Sequence, residues 1–317
     1  MKLKYCLMLC LFCIATSLQA QNVITVSKTG GDFTNPVDAL QAIGTSLPAA
    51  GPANRYVVKF MPGRYSVTRP IVMQPYVDLE GSGRKTTLIR GAISWQFGGD
   101  TIGVQGVINA ASHSEIRHLT VRNTWADSSA IGIGMLNTRG SSITDVRSVA
   151  RGKATDSASW KYGIRIIDSK NVRLDRVTAR GTSKDFTSCQ GAVIRNSNVS
   201  INDSRLIAVG SGCSISLGVT IDDNSVVTIH SSVMRGEGSI NGISASSASA
   251  SATSGDTVLR IRHSELSGEL FAFAPTPPAS AVINVSHSQV SGPVRGPVTC
   301  FSVHDESLSP LGSDCLP

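Results

Sequence analysis

Three charged residues occupy the same place in a repeated pattern. Asp145, Arg176 and Asp203 each stand two residues after an aliphatic position, Ile143, Leu174 and Ile201, that recurs at nearly constant spacing. If those aliphatic positions stack, the three charges stack with them, about 4.8 Å apart, the distance between neighbouring strands. A guanidinium between two carboxylates can hold the acid group of a sugar while an aspartate serves as acid, base or cation ligand. The same column could also be a surface ladder of alternating charge with no other task. Trp95, Trp125 and Trp160 lie between the β-like runs. There an exposed indole could form a platform for a sugar ring, or cover the flank of a core.

Other reactive side chains form weaker patterns. Asn137, Asp168, Arg195 and Asp223 stand six residues before successive aliphatic positions, in turns. Asn and Asp there either satisfy turn backbone or contribute to a calcium site. The six histidines show no metal-ligand spacing, although His263 and His287 fall at one position of adjacent repeats. No Gly-x-Ser-x-Gly elbow precedes a helix. No cofactor is called for.

The elements that position these groups are β-strands of one repeating unit. The segments around Ile116, Ile143, Leu174, Ile201, Ile229, Ile261 and Val285 align, with steps of 27, 31, 27, 28, 32 and 24 residues. Five residues after six of these centres stands another apolar residue: Val121, Ala179, Leu206, Met234, Leu266 and Val290; Ser148 is the exception. Glycines at 181, 236, 268 and 292 follow two residues later. Units of this length, built of strands alone, bury their apolar stripe only by stacking. The expected fold is therefore all-β, a single-stranded right-handed parallel β-helix. An antiparallel sandwich would not align these columns. One amphipathic helix is expected at 35–43, capped by Asn35 with Pro36 in its first turn and ended by Gly44. Laid over the first coil, it would cover an otherwise open sheet edge. The Ser/Ala-rich stretch 243–255 is expected to be a loop or weakly specified strand. The prolines of 271–278 exclude a central strand there.

The ends set the compartment. Residues 1–20 combine Lys2 and Lys4, an apolar run from Cys6 to Ile14 and a small-residue tail to Ala20, the layout of a secretory signal. One β-helix domain is expected over 21–317, with coils over about 55–292 and a C-terminal cap over 293–317. No later apolar stretch is long enough for a membrane span. The formal charge of +7 falls by two without Lys2 and Lys4. That mild basic excess suits an acidic polysaccharide, or solubility alone, and the sequence lacks the basic-aromatic interleaving of a nucleic-acid binder. Four cysteines follow the leader. Cys189 and Cys213 occupy similar places on neighbouring coils, within disulfide reach. Cys300 and Cys315 lie past the last repeat, where a bridge would pin the tail. The expected pairs are Cys189–Cys213 and Cys300–Cys315.

Near the front the chain resembles a known family. Ile24-Thr25-Val26-Ser27-Lys28-Thr29-Gly30-Gly31-Asp32-Phe33-Thr34 resembles the opening of pectin methylesterases. Val57-Val58-Lys59-Phe60-Met61-Pro62-Gly63-Arg64-Tyr65 and Val77-Asp78-Leu79-Glu80-Gly81-Ser82-Gly83-Arg84-Lys85-Thr86-Thr87-Leu88-Ile89 are similar to the coils that follow. The resemblance implies the pectin-lyase-like superfamily, whose β-helices act mostly on polysaccharides. It does not carry the esterase mechanism. The family's Gln-Asp-Thr-Leu and Asp-Phe-Ile-Phe-Gly stretches are missing; Asp185-Phe186-Thr187 is the nearest fragment. No signature of the calcium-dependent lyases is present. Two functions follow as alternatives. One is a secreted or periplasmic β-helix, monomeric, that binds or acts on a polysaccharide, an acidic one fitting the mild basic charge. The other is a non-catalytic surface or adhesion scaffold.

Overall fold

The computed structural model describes residues 21–94, 105–125, 129–152, 159–183, 187–210, 213–237, 240–246, 257–273, 281–292, 294–295, 298–305, 307 and 309–313. Among these, three parallel sheets of eleven, nine and nine strands run the length of the molecule. Each sheet takes one strand from successive coils, so the chain passes from first to second to third sheet and back. Parallel strands need crossover connections; here the rest of the coil is the crossover, with the right-handed sense such connections take. The fold is the expected right-handed parallel β-helix.

The aliphatic centres lie in the first sheet and pair residue for residue. Ile116 is in register with Ile143, Ile143 with Leu174, Leu174 with Ile201, Ile201 with Ile229, Ile229 with Ile261 and Ile261 with Val285. Ile24, Val58 and Leu79 extend this ladder at one end and Cys300 at the other. From Val58 to Ile261 its members are no more than 1% exposed. Large aliphatics stack well here because successive coils present the same inward position to the same sheet.

The second sheet carries the next inward column, with Val121, Ser148, Ala179, Leu206, Met234, Leu266 and Val290 in register. Ser148, the break in the apolar pattern, is fully buried and donates its hydroxyl to Gly163 O at 2.7 Å. The recurrent glycine has two physical reasons. A Cβ on Gly181 would fall 2.2 Å from Lys161 O, whereas Gly268 and Gly292 adopt φ of 121° and 134°.

Serine has a structural task that its abundance concealed. Between the first and second sheets, Ser204, Ser232, Ser264 and Ser288 form an internal ladder. Each of the first three donates its amide to the hydroxyl of the next, and Val177 N donates to Ser204. Each hydroxyl donates in turn to the carbonyl two residues earlier. Where the third sheet returns to the first, Thr138, Ser169 and Ser197 likewise donate their amides to the hydroxyls of Ser169, Ser197 and Ser225, and these three hydroxyls donate to the carbonyls two residues earlier. Buried corner amides are thus satisfied without water.

The helix spans Pro36–Ala42. Asn35 caps it by accepting Val37 N at 2.9 Å, and Val37, Ala39 and Leu40 are buried over the first coils. Gln74 Nε2 donates to the carbonyls of Leu40 and Ile43 at the other end. Part of the low-complexity stretch is ordered as strand Ile240–Ser246, and Glu269–Phe273 forms a third-sheet strand that stops before the first proline. Cys189 and Cys213 are bridged, with Cα atoms 5.6 Å apart. Cys300 is also disulfide-bonded; Cys315, its expected partner, lies outside the described residues, as do residues 1–20.

Candidate functional site

The charged column sits at the corner where the first sheet turns into the second. His118, Asp145, Arg176, Asp203, Ser231, His263 and His287 all adopt left-handed backbone, with φ between 47° and 56°. Each donates its amide to a carbonyl of the following coil; Asp145 N to Asp175 O and Arg176 N to Asn202 O are examples. One left-handed residue per coil turns the chain sharply, which explains why Asp, His and Ser recur here: short polar side chains tolerate this conformation best. Arg176 is the bulky exception.

The side chains do not form the expected carboxylate–guanidinium–carboxylate stack. Asp145 is held by Arg84 Nε and His118 Nδ1, each at 3.0 Å. Arg84 comes from the turn before strand Thr87–Gly91 and also donates to Arg176 O at 3.4 Å. It therefore spans several coils. Arg176 bonds Asp175, its own chain neighbour, at 2.8 Å. Asp175 points outward from the first sheet but is only 8% exposed. Asp203 is exposed and has no ion pair among the described residues. The difference arises because Arg176 finds a nearer carboxylate in Asp175, while Arg84, distant in sequence, reaches Asp145 first. His118 stands in the same sequence column, two residues after Ile116, whereas nothing in the spacing marks Arg84; only the winding of the coils brings Arg84 here.

Further along this edge, His230, His263, His287 and Phe301 form a ring column. His263 and His287 are stacked, 5.2 Å apart and 12° from parallel. His230–His263 and His287–Phe301 meet edge to face at 5.1 and 5.5 Å. Thus the adjacent-coil histidines do stack. Among the described residues no three His, Cys, Asp or Glu side chains are grouped to hold a metal.

The second polar column lies at the turn between third and first sheets. Asn137, Asp168, Asn196 and Asp223 share left-handed backbone there, so Asn196 takes the place expected of Arg195. That coil's turn is one residue shorter. Arg195 instead ends a strand and pairs with Asp223, while Asn196 bonds Asp168 at 2.6 Å.

Of the tryptophans, Trp95 lies outside the described residues. Trp125 follows strand Thr120–Asn123, and its carbonyl accepts Lys161 Nζ at 3.2 Å. Trp160 begins strand Trp160–Ile167 and is not in a linker. Its ring stacks on Tyr162 at 5.9 Å, and Arg165 lies over the other aromatic partner, 5.4 Å from the Tyr162 ring. Tyr162 and Arg165 are each 6% exposed. Burial pushes the Tyr162 hydroxyl far above its ordinary value and lowers Arg165. This cluster covers the flank of the third sheet.

A second charged group went unrecognised. Asp78, 3% exposed, accepts Arg55 at 3.1 Å and Glu115 N at 2.8 Å; Arg117 bonds Glu80 and Glu115 at 2.7 and 2.6 Å. With cations and carboxylates mutually engaged, this network joins the early first-sheet strands.

No family model matches the sequence, and no curated protein does. Solved structures are similar in fold. Pectin methylesterase from carrot is 14% identical, with a TM-score of 0.47, covering 95% of this chain and 89% of that one. Pectin methylesterase PemA from Erwinia chrysanthemi is 13% identical, with a TM-score of 0.42, covering 94% and 92%. The catalytic domain of GH87 alpha-1,3-glucanase, in complex with nigerose, is 12% identical, with a TM-score of 0.39, covering 90% and 64%.

Proposed function

We propose that this protein is exported and binds a polysaccharide along its rod, through the corner between the first and second sheets. One observation carries the reading: the corner presents exposed Arg176 and Asp203 on adjacent coils, on backbone pinned by inter-coil hydrogen bonds. Such a column offers a cation and a carboxylate at a repeat of about 4.8 Å, suited to hydroxyl and acid groups along a chain of sugars. Asp145 anchors the column, since Arg84 and His118 occupy both its oxygens. The chemistry offered is charge and hydrogen bonding, which is binding. Export is supported by the leader-like residues 1–20 and by the Cys189–Cys213 bridge, of a kind that persists in oxidising compartments. The test is a panel of neutral and uronate polymers, monitoring retention, released methanol and unsaturated products. Wild type should be retained on at least one polymer, and the Arg176→Ala/Asp203→Asn variant should lose affinity with its fold intact. A wild type that ignores every glycan at low and physiological salt refutes the proposal.

A further inference from the structure

Over its first six strands the outer face of the second sheet is an arginine surface; beyond them acid returns, with Glu265 outward in strand Glu265–Ser267. Its first six strands are Gly63–Val67, Thr87–Gly91, Thr120–Asn123, Arg147–Gly152, Thr178–Ser183 and Arg205–Val209. They contain Arg64, Arg90, Arg122, Arg147, Arg151, Arg180 and Arg205, and not one Asp, Glu or Lys. Inward positions are taken by the apolar column, so these arginines all stand outward.

Register sets their pattern. Arg90 pairs with Arg122, and that central column continues through Val149, Arg180, Ile207 and Arg235. Beside it runs Arg64, Leu88, Thr120, Arg147, Thr178 and Arg205. From Arg147 onward, arginine alternates between the central and flanking columns on successive coils. Positions repeat about every 4.8 Å along the rod and, two residues on, about 7 Å across it. The result is a staggered field of guanidinium groups several coils long.

Among the described residues these charges have no acidic partner. Several arginines off this face have carboxylate partners, among them Arg55 with Asp78, Arg117 with Glu80, Arg84 with Asp145, Arg176 with Asp175 and Arg195 with Asp223. Arg139, Arg260 and Arg262 also have no ion pair with a described residue, but they are not gathered into a field. None of the seven on this face is in an ion pair with a described residue. Arg180 Nε is buried with no hydrogen-bond partner among the described residues. Like charges gathered on one face repel and lower stability, so the arrangement makes sense with an anionic partner.

The chemistry selects that partner. Every charged group on these strands is a guanidinium, whose planar fork pairs bidentately with carboxylate or sulfate. The outward positions include no aromatic side chain, the usual platform for nucleic-acid bases. A sheet face with Leu88, Val149 and Ile207 wholly or partly buried offers no apolar wedge for a lipid surface. We infer that this face is a docking surface for an extended acidic polysaccharide, whose carboxylates or sulfates lie across the staggered guanidiniums. The inference rests on the polysaccharide reading above. It adds a second face and specifies the charge of the ligand.

The experiment uses the mature chain and measures binding to polygalacturonate, heparin, neutral dextran, duplex DNA and phosphatidylserine-containing vesicles, each at two salt concentrations. Polygalacturonate carries carboxylates alone and heparin carries both carboxylates and sulfates, so binding to both assigns the carboxylate as sufficient and binding to heparin alone assigns the sulfate. Two non-overlapping variants are compared, Arg147→Gln/Arg151→Gln/Arg205→Gln and Arg64→Gln/Arg90→Gln/Arg122→Gln, together with the corner variant Arg176→Ala/Asp203→Asn. Wild type should bind an acidic polymer, not dextran, with affinity falling steeply as salt rises. Each arginine variant should fold normally, lose at least tenfold in affinity and show a shallower salt dependence. Tenfold loss in the corner variant with unchanged binding in both arginine variants overturns this inference and leaves the proposed function standing. DNA or vesicles bound as tightly as the acidic polymers at equal salt also overturn it. Failure to bind any glycan ends both proposals.

Discussion

The interior ladder can be tested at Ile201. Its side chain is fully buried between Leu174 and Ile229 on the neighbouring coils. Shortening it to Val removes one methylene and should cost about 0.5–1.5 kcal/mol; Ala leaves a cavity and should cost about 2–5 kcal/mol. Ile201→Asp should cost more than Ala, because it places a carboxylate among apolar coils with no cation in reach. The control is Ser200→Asp on the same strand, where the side chain points outward beside Arg173 and the expected change is within about 0.5 kcal/mol. Urea unfolding followed by far-UV circular dichroism reads all four variants. Because coils contact mainly their neighbours, the transition can lose cooperativity and must be fitted with that allowed. The expected order of damage is Ser200→Asp, then Val, then Ala, then Ile201→Asp. If Ser200→Asp is as harmful as Ile201→Asp, the assignment of inward and outward positions is wrong, and with it the register of the first sheet.

Further expectations rest on other parts of the rod. Replacing both Cys189 and Cys213 by Ala should lower stability by about 2–4 kcal/mol through the freed loop between them, measured by urea unfolding with and without reductant; equal stability in both conditions for wild type contradicts it. Ser264→Ala leaves Ser232 N without its acceptor and should cost about 1–3 kcal/mol; hydrogen exchange at Ser232 should accelerate, and unchanged exchange tells against the ladder. Burial acting alone would raise Glu80, but its hydrogen bonds and charge interaction with Arg117 hold it below its ordinary value of 4.5. Its stabilising contribution is therefore full above 4.5 and is lost as pH falls through the lower folded value. Glu80→Gln should be less stable at neutral pH and should lose less stability on acidification, by thermal melts across pH; parallel acid limbs for the two proteins refute this.

How far the structure could be read in advance differs from element to element. Ile116 to Val285 revealed the ladder because inward positions obey one chemical rule on every coil, so the period appears in a single chain. Asn35 and Pro36 marked the helix start because capping is local. Cys189 and Cys213 could be paired because coil length alone places them together. The corner column could be located, since left-handed backbone selects short polar residues, but its ion pairs could not. Arg176 turns to Asp175 and Arg84 crosses coils to Asp145, choices made by side-chain reach around a bend. The turn column slipped at Arg195 because one coil is shorter by a residue, a difference visible only once strands are paired. The serine ladders and the arginine face were present as letters from the start. Ser204, Ser232, Ser264 and Ser288 each stand three residues after an aliphatic centre, yet serine is too common to signal anything until its hydroxyl meets the amide of the coil before. Arg122, Arg147, Arg180 and Arg205 are scattered in sequence. They become one charged surface only because winding the chain into coils turns distance along it into adjacency across a sheet.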